Sequence, residues 1–204
     1  MLVDYYVAKG ILDRYGIRSV RSRYAKGVDD AVSFWDGKNP IVLKALSQKA
    51  LHKSKSGLVA VDLDSESGIR NAFRMLQRKA ARLGPYNIIA QQMVKNGIEI
   101  IIGGNTDPQF GKMVLLGLGG IYVETFRDFA LRLCPITRRD AESMVAQLKS
   151  SGVIAPDEKS KRMITDLLLK ASRMFESTKI AELDLNPVIL HDGTYDAVDL
   201  RMLK

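Results

Sequence analysis

Four side chains near the C-terminus, Asp184, Asn186, Asp199 and Arg201, offer the richest chemistry because one turn can bring them together. They lie in KIAELDLNPVILHDGTYDAVDLRML, where two extended runs flank Asp192-Gly193, a strong signal for a two-residue hairpin. A turn centred between those residues sets Asn186 opposite Asp199 and Asp184 opposite Arg201. Opposed residues, and residues two apart on a strand, project from the same face. All four therefore share one face, and Leu183, Leu185, Val198 and Leu200 form the apolar side that packs on a core. Two hard-oxygen donors facing each other suit Mg²⁺, which takes one or two protein ligands and fills its octahedron with phosphate oxygens and water. The same spacing also fits a solvated hairpin face with an Asp184–Arg201 ion pair of small energetic worth.

A second set of residues upstream has the character of a phosphate site. Lys44 sits inside the apolar run PIVLKAL, where burying an unpaired ammonium is costly. It either reaches toward a nucleotide phosphate or snorkels to water from the strand edge. Further on, LHKSKSGLV is basic and rich in hydroxyls, with Gly57 before the next strand, as a phosphate-covering turn requires. It carries His52 and Lys53. His52 reads as a phosphate-accepting nucleophile, a donor to phosphate or an exposed loop histidine. Glu99 alternates outward from Ile98 and Ile100 in GIEIIIG, and Gly117, Gly119 and Gly120 permit close backbone approach to a ligand. Arg132, in ALRLCPIT, fits a phosphate contact or the surface equally well.

The elements that must carry these residues follow from hydrophobic period. Tyr5, Ala8, Ile11, Leu12 and Tyr15 mark one helical face ended by Gly16, and Ile69, Ala72, Phe73, Leu76, Ala80 and Leu83 mark a longer helix closed by Gly84-Pro85. A short helix is expected near Asp29 to Trp35, and strands at Arg21 to Ala25, Pro40 to Leu46 and Gly57 to Leu63. Beyond the break, strands are expected at Asn87 to Val94, Ile98 to Ile102, Met113 to Leu116 and Phe129 to Leu133. Thr137 with Asp140 forms a capping box before a helix, the polar stretch Ser150 to Lys161 reads as a loop, and Met163 to Phe175 makes a second helix. Strands gather before helices instead of alternating with them, which predicts an α+β chain in two lobes, residues 1–86 and 87–204.

Composition limits the partners. The 204 residues carry 31 Lys+Arg against 23 Asp+Glu, a formal charge of +8. Basic residues are interleaved with acids and no aromatic-plus-basic stripe appears, so the excess suits a small anionic ligand such as a nucleotide better than nucleic acid. The single cysteine, Cys134, makes no internal disulfide and points to a reducing, cytoplasmic setting. The longest greasy stretch, Met113 to Val123, is too short to span a bilayer, and no membrane association is expected.

Taken in order, VLK, HKS, GIEIIIG, DPQFGKMVLLGLGGIYVE, LCPIT, ELDLNP and VDLR resemble the ATP-grasp β subunit of the ADP-forming (NDP-forming) acyl-CoA synthetases, of which acetate–CoA ligase (ADP-forming) is the best known type. The resemblance runs from about Tyr5 to Leu203. It implies an ATP-grasp fold whose two α+β lobes clasp a nucleotide. It also implies ATP/ADP and Mg²⁺ as cofactors, a CoA-binding α subunit as partner in a hetero-oligomer such as α2β2, and phosphoryl transfer through phosphohistidine. Carried over by position, Lys44 and Lys53 contact nucleotide phosphates, Gln91, Met93 and Val94 lie in the adenine hinge, and Glu99 helps hold the nucleotide. Asn186 and Asp199 hold Mg²⁺, Asp184 lies beside the phosphohistidine, and His52 receives phosphate and delivers it to ADP.

The chain departs from the acetate-type pattern at two places. Lys55 stands where an acid is usual, followed by Gly57-Leu58 in place of two glycines, and SSGVIAPDEKSKR replaces a Gly-x-Arg-Gly stretch. These departures motivate a second expectation, a catalytically impaired ATP-binding regulatory or scaffolding paralogue.

Overall fold

The computed structural model describes residues 1–47, 57–120 and 128–204. These residues form two compact units, one of Val20–Lys95 and one that joins Met1–Ser19 to Asn96–Lys204.

The Val20–Lys95 unit contains β1 (Ser22–Tyr24), α1 (Val28–Phe34), β2 (Ile41–Ser47), β3 (Val59–Leu63), α2 (Glu66–Ala81) and β4 (Tyr86–Gln92). Its strands form an antiparallel sheet in the order β1-β4-β2-β3. Alternation along β2 and β4 sends Leu43, Ala45, Ile88 and Ala90 to one core with Ala31 and Phe34 of α1 and Ile69, Phe73 and Leu76 of α2. Those α2 residues are the ones that the 3.6 period marks, and each such buried side chain contributes about 1.5–3 kcal/mol. Ser65 caps α2 by accepting from the Gly68 N–H.

The other unit begins with an N-terminal helix, Tyr5–Arg14, whose cap Asp4 accepts from the Tyr6 and Val7 N–H groups. It continues with β5 (Ile98–Asp107), β6 (Gly111–Leu118), β7 (Phe129–Leu133), and three helices at Arg138–Gln147, Ser151–Ile154 and Glu158–Ser177. It ends with β8 (Glu182–His191), β9 (Thr194–Ala197) and β10 (Leu200–Leu203). The N-terminal helix is αN (Tyr5–Arg14), and the later helices are α3 (Arg138–Gln147), α4 (Ser151–Ile154) and α5 (Glu158–Ser177). The six-stranded sheet runs β10-β8-β5-β6-β7, with β9 also paired to β8. One face, carrying Ile100, Ile102, Val114, Leu116, Leu183 and Leu185, is buried with Met144 and Val145 of α3 and Leu167, Leu168, Ala171 and Phe175 of α5. Lys112 closes the C-terminal end of α5, where its Nζ donates to the carbonyls of Phe175 and Thr178 at 2.6 Å.

The α+β class holds, but the division between units differs from the expected 86/87 break. Gly84-Pro85 is only the turn into β4, and β4 pairs with β2 from Ile41↔Gln92 to Ser47↔Tyr86, so it cannot leave the first sheet. The first nineteen residues meanwhile join the C-terminal unit: the Val3 N–H donates to the Met202 carbonyl at 2.9 Å, and Leu2 bridges Leu203. Non-local pairing of this kind leaves no local sequence signal.

A second difference concerns Ser150 to Lys161, which is not all loop. It contains α4, with Ile154 buried, and α5 already starts at Glu158 because Asp157 accepts from the Ser160 N–H at 2.7 Å. The capping box at Thr137 and Asp140 forms as expected.

Candidate functional site

The hairpin register follows the turn. Asp192 and Gly193 have φ of 46° and 69°, as a two-residue type I′ turn demands. β8 and β9 pair His191↔Thr194 through Val188↔Ala197, and β10 resumes at Leu200↔Leu185 and Arg201↔Asp184. Between those ladders, the Asn186 N–H donates to the Asp199 carbonyl at 3.2 Å and the Val198 N–H to the Pro187 carbonyl at 3.0 Å. Asn186 and Asp199 are thus opposed. Asp199 Oδ1 also accepts from the Leu200 N–H at 3.0 Å, which fixes its carboxylate.

Asp184, Asn186, Asp199 and Arg201 lie on the sheet face opposite the helices, where Asn186 is exposed and the other three are half-buried. Glu99 belongs to the same face, because β5 alternates and Gly103 pairs with Asp184. Gly103, Asn105 and Glu182 continue it, and an open pocket of about 270 Å³ is lined there by Gly104, Asn105, Glu182, Asp184 and Arg201. The far end of this face is apolar, with Phe129, Leu131 and Leu133 of the edge strand β7 all well exposed.

The glycines after β6 have a role that the sequence pattern alone left open. The Gly119 N–H donates to the Glu99 carbonyl at 2.7 Å. A Cβ on Gly119 would lie 2.8 Å from the carbonyl carbon and Cβ of Glu99, closer than atoms can approach. Gly120 has φ of 73°, and a Cβ there would meet Glu99 Oε2 at 3.3 Å. The pair wraps Glu99 itself, so the close approach is to a side chain and backbone of this chain.

In the Val20–Lys95 unit, Lys44 is 5% exposed and Gln91 fully buried. Val42 pairs with Gln91 and Lys44 with Ile89, so Lys44 and Gln91 project from one face, the side away from α1 and α2. Met93 and Val94 follow β4, and the Met93 N–H donates to the Pro40 carbonyl at 3.4 Å. The structure therefore brings Lys44 and Gln91 together in one unit, and Glu99, Asp184, Asn186 and Asp199 together in the other. His52, Lys53 and Lys55 lie outside the described residues. Arg132 donates to Ser143 Oγ and Gln147 Oε1 at 3.1 Å, a contact between β7 and α3 away from the polar face.

Two features escaped the sequence. Arg201 Nε is sealed from solvent without a hydrogen-bond partner among the described residues, although Asp184 stands across the ladder. Asp128 is buried and accepts from the Lys149 and Ser150 N–H groups at 2.8 Å, anchoring the stretch that replaces Gly-x-Arg-Gly. Burial opposes ionisation of Asp128, yet the hydrogen bonds from Ser150 and Lys149 win and hold its carboxyl below the usual range.

No group of three or more His, Cys, Asp or Glu side chains gathers among the described residues as a closed metal cage would need. Two opposed oxygen-bearing side chains, Asn186 and Asp199, would instead fit a hard cation that keeps most of its ligands as water and phosphate oxygens. No helix among the described residues is long and apolar enough to cross a membrane.

Comparison with known proteins decides the family, since the model of the ATP-grasp domain matches residues 2–203. The chain belongs to the ATP-grasp family. Within it, this ATP-grasp chain is 34% identical over 207 residues to the β subunit of acetate–CoA ligase (ADP-forming) I from Pyrococcus furiosus, covering 96% of the chain and 89% of the relative. It belongs with those β subunits. Among solved structures, the dinucleotide-forming acetyl-coenzyme A synthetase 1 of Ca. Korarchaeum cryptofilum, in complex with coenzyme A, Ca-AMPCP and HgCl+, superposes with a TM-score of 0.88 at 37% identity, covering 100% of this chain and 92% of that one. A second structure of that synthetase, with coenzyme A and Mg-AMPPCP and its phosphohistidine segment pointing towards the nucleotide binding site, gives a TM-score of 0.81 at 34% identity, covering 99% and 92%.

Proposed function

We propose that this chain is the nucleotide-binding β subunit of an ADP-forming acyl-CoA synthetase, which interconverts acid, CoA and ATP with acyl-CoA, ADP and phosphate. The observation that carries this reading is the pair of oxygen donors, Asn186 and Asp199, opposed on an otherwise polar sheet face in a chain of this family. The CoA half of the reaction belongs to a partner α subunit, in an assembly such as α2β2, in the cytoplasm. The Ca-AMPCP and Mg-AMPPCP complexes of the Korarchaeum relative support a divalent cation, Mg²⁺, with ATP/ADP as the ligand.

Residue roles follow from chemical type. Phosphoryl transfer demands charge neutralisation and positioning more than covalent help. The Lys44 ammonium, held on a strand inside a packed sheet, neutralises phosphate oxygens with little freedom to wander. Gln91, Met93 and Val94 present side-chain and backbone groups at the end of β4 to adenine. Glu99, gripped by Gly119 and Gly120, is fixed in place to hold the nucleotide. Asn186 and Asp199 would hold Mg²⁺, which when bound screens the charge on the phosphates. Asp184 keeps an imidazole N–H oriented by accepting from it, and His52, with Lys53 beside it, carries the phosphoryl group.

The test is co-purification with a CoA-binding α subunit and assay for ATP made from acyl-CoA, ADP and phosphate. ATP formation that needs both chains and stops in His52→Asn supports the proposal. Activity that persists in His52→Asn contradicts the relay.

A further inference from the structure

The positive charge of the chain is concentrated in one of its units. Between Val20 and Lys95 stand 14 Lys+Arg against six Asp+Glu, a net +8, whereas the other unit carries 17 of each and is neutral. Five of those cations, Arg70, Arg74, Arg78, Lys79 and Arg82, lie on α2 and its C-cap, and the arginines recur at every fourth position. At about 100° of turn per residue, Arg74, Arg78 and Arg82 stand opposite Ile69, Ala72, Phe73, Leu76 and Ala80, which α2 buries, and all three are exposed. Lys44 and Gln91 project from the side of the sheet away from α2, so the arginine row lies apart from the nucleotide residues.

Arg70 is neutralised at the start of the helix, by Asp29 at 2.9 Å and Glu66 at 2.8 Å. Beyond it no carboxylate pairs with the row among the described residues: Arg78 donates to the Arg74 carbonyl and Lys79 to the Gly57 carbonyl, each at 3.3 Å. Like charges four residues apart weaken a helix, so the row carries a cost that an anionic partner would offset. We propose that the outer face of α2 is a docking surface for an acidic segment of a partner protein.

Three features select that occupant. Successive arginines rise by about 6 Å along the axis, so their forked donors meet carboxylates at the same spacing, as on a helix with Asp or Glu at every fourth position. No large apolar side chain is exposed on α2, which leaves nothing to insert into a lipid surface. The row is also bounded, because Asp62, Asp64 and Glu66 stand at its N-terminal end together with Asp29. Those carboxylates repel a polyanion longer than the row, such as a nucleic-acid backbone, whereas a short acidic stretch covers Arg74, Arg78 and Arg82 and stops before them.

The full chain is titrated with a fluorescent alanine-based helical peptide bearing Glu at every fourth position, with the same peptide bearing Gln instead, and with a DNA duplex of similar length. Anisotropy follows each at low and at physiological salt. The expected result is saturable binding of the Glu peptide that weakens as salt rises and no binding of the Gln peptide. In the triple variant Arg74→Gln, Arg78→Gln, Arg82→Gln, affinity for the Glu peptide should fall by about tenfold or more with the thermal unfolding midpoint kept. The double variant Arg74→Glu, Arg78→Glu reads the same contact as a gain, since it should bind a Lys version of the peptide that the unaltered chain refuses. Equal binding of the Glu peptide by the unaltered chain and the triple variant overturns the proposal, and so does an unaltered chain that binds no Glu peptide. A duplex that binds more tightly than the peptide and is lost in the triple variant overturns it too, and assigns the face to nucleic acid.

Discussion

The Asn186 N–H donates to the Asp199 carbonyl at 3.2 Å, across a hairpin whose two ends pair in unbroken register from His191↔Thr194 to Leu203↔Glu182. Backbone pairing thus sets the separation of two oxygen-bearing side chains before any ion arrives. Asp199→Ala should therefore weaken Mg²⁺-dependent ADP binding by roughly 10–100-fold. Calorimetry of the variant with and without Mg²⁺ checks this, and unchanged ADP affinity would remove Asp199 from the metal site.

Lys44 offers a test that separates function from stability. It is 5% exposed in the middle of β2 and has a partner of its own, and removing one side of a buried charged contact is destabilising. Lys44→Met should therefore lower the urea midpoint and also drop ADP affinity by about tenfold or more, as expected when a charge-assisted phosphate contact is lost. A variant that loses stability and keeps its affinity would make Lys44 a structural residue.

Gly119 and Glu99 cannot tolerate a methyl group between them, with the added Cβ 2.8 Å from the Glu99 backbone. Gly119→Ala should cost about 1–3 kcal/mol of stability and lower ADP affinity by displacing Glu99. Chemical denaturation together with calorimetry reads both effects; Gly119→Ala at full stability would show that the backbone can give way.

Asp128 should make stability depend on pH at the acid end. Its folded carboxyl lies below the usual value because hydrogen bonds from Ser150 and Lys149 outweigh the opposing effect of burial. The unfolded chain therefore binds the proton first, so the contribution is complete above the ordinary carboxylate pKa and is lost as pH falls through the folded value. Asp128→Asn should be less stable by about 1–3 kcal/mol at pH 7, and the gap should shrink as the pH drops toward 3. A gap that is constant with pH would mean that the carboxylate charge contributes nothing.

Much of the polar face was legible because it is local. Asp192-Gly193 dictates a two-residue turn, the turn dictates the register, and period-two alternation then places Asp184, Asn186, Asp199 and Arg201 on one side. The helices at Tyr5 and Glu66 were equally readable from an apolar period, and the one at Arg138 from its capping box. What the sequence concealed depends on distant partners. The allegiance of β4 is decided by strands β1 and β2 more than forty residues away in the chain for most of its pairs, and the return of Met1–Ser19 to the C-terminal unit rests on Leu2 meeting Leu203. The grip of Gly119 on Glu99 and the sealed Arg201 Nε likewise arise only once the sheet is assembled. Asp196 belongs to this group: it is buried, yet satisfied by Arg18 at 3.1 Å and His191 at 2.9 Å, a structural tie between chain segments that no local pattern announces.

The most direct test of the account is titration of the purified chain with ADP, first with Mg²⁺ and then with the metal chelated. The account predicts saturable binding with Mg²⁺ that is lost on chelation, and lost in Asp199→Ala. Binding of equal strength under both conditions, or unaltered in Asp199→Ala, would contradict the assignment of the hairpin as the metal-bearing half of the nucleotide site.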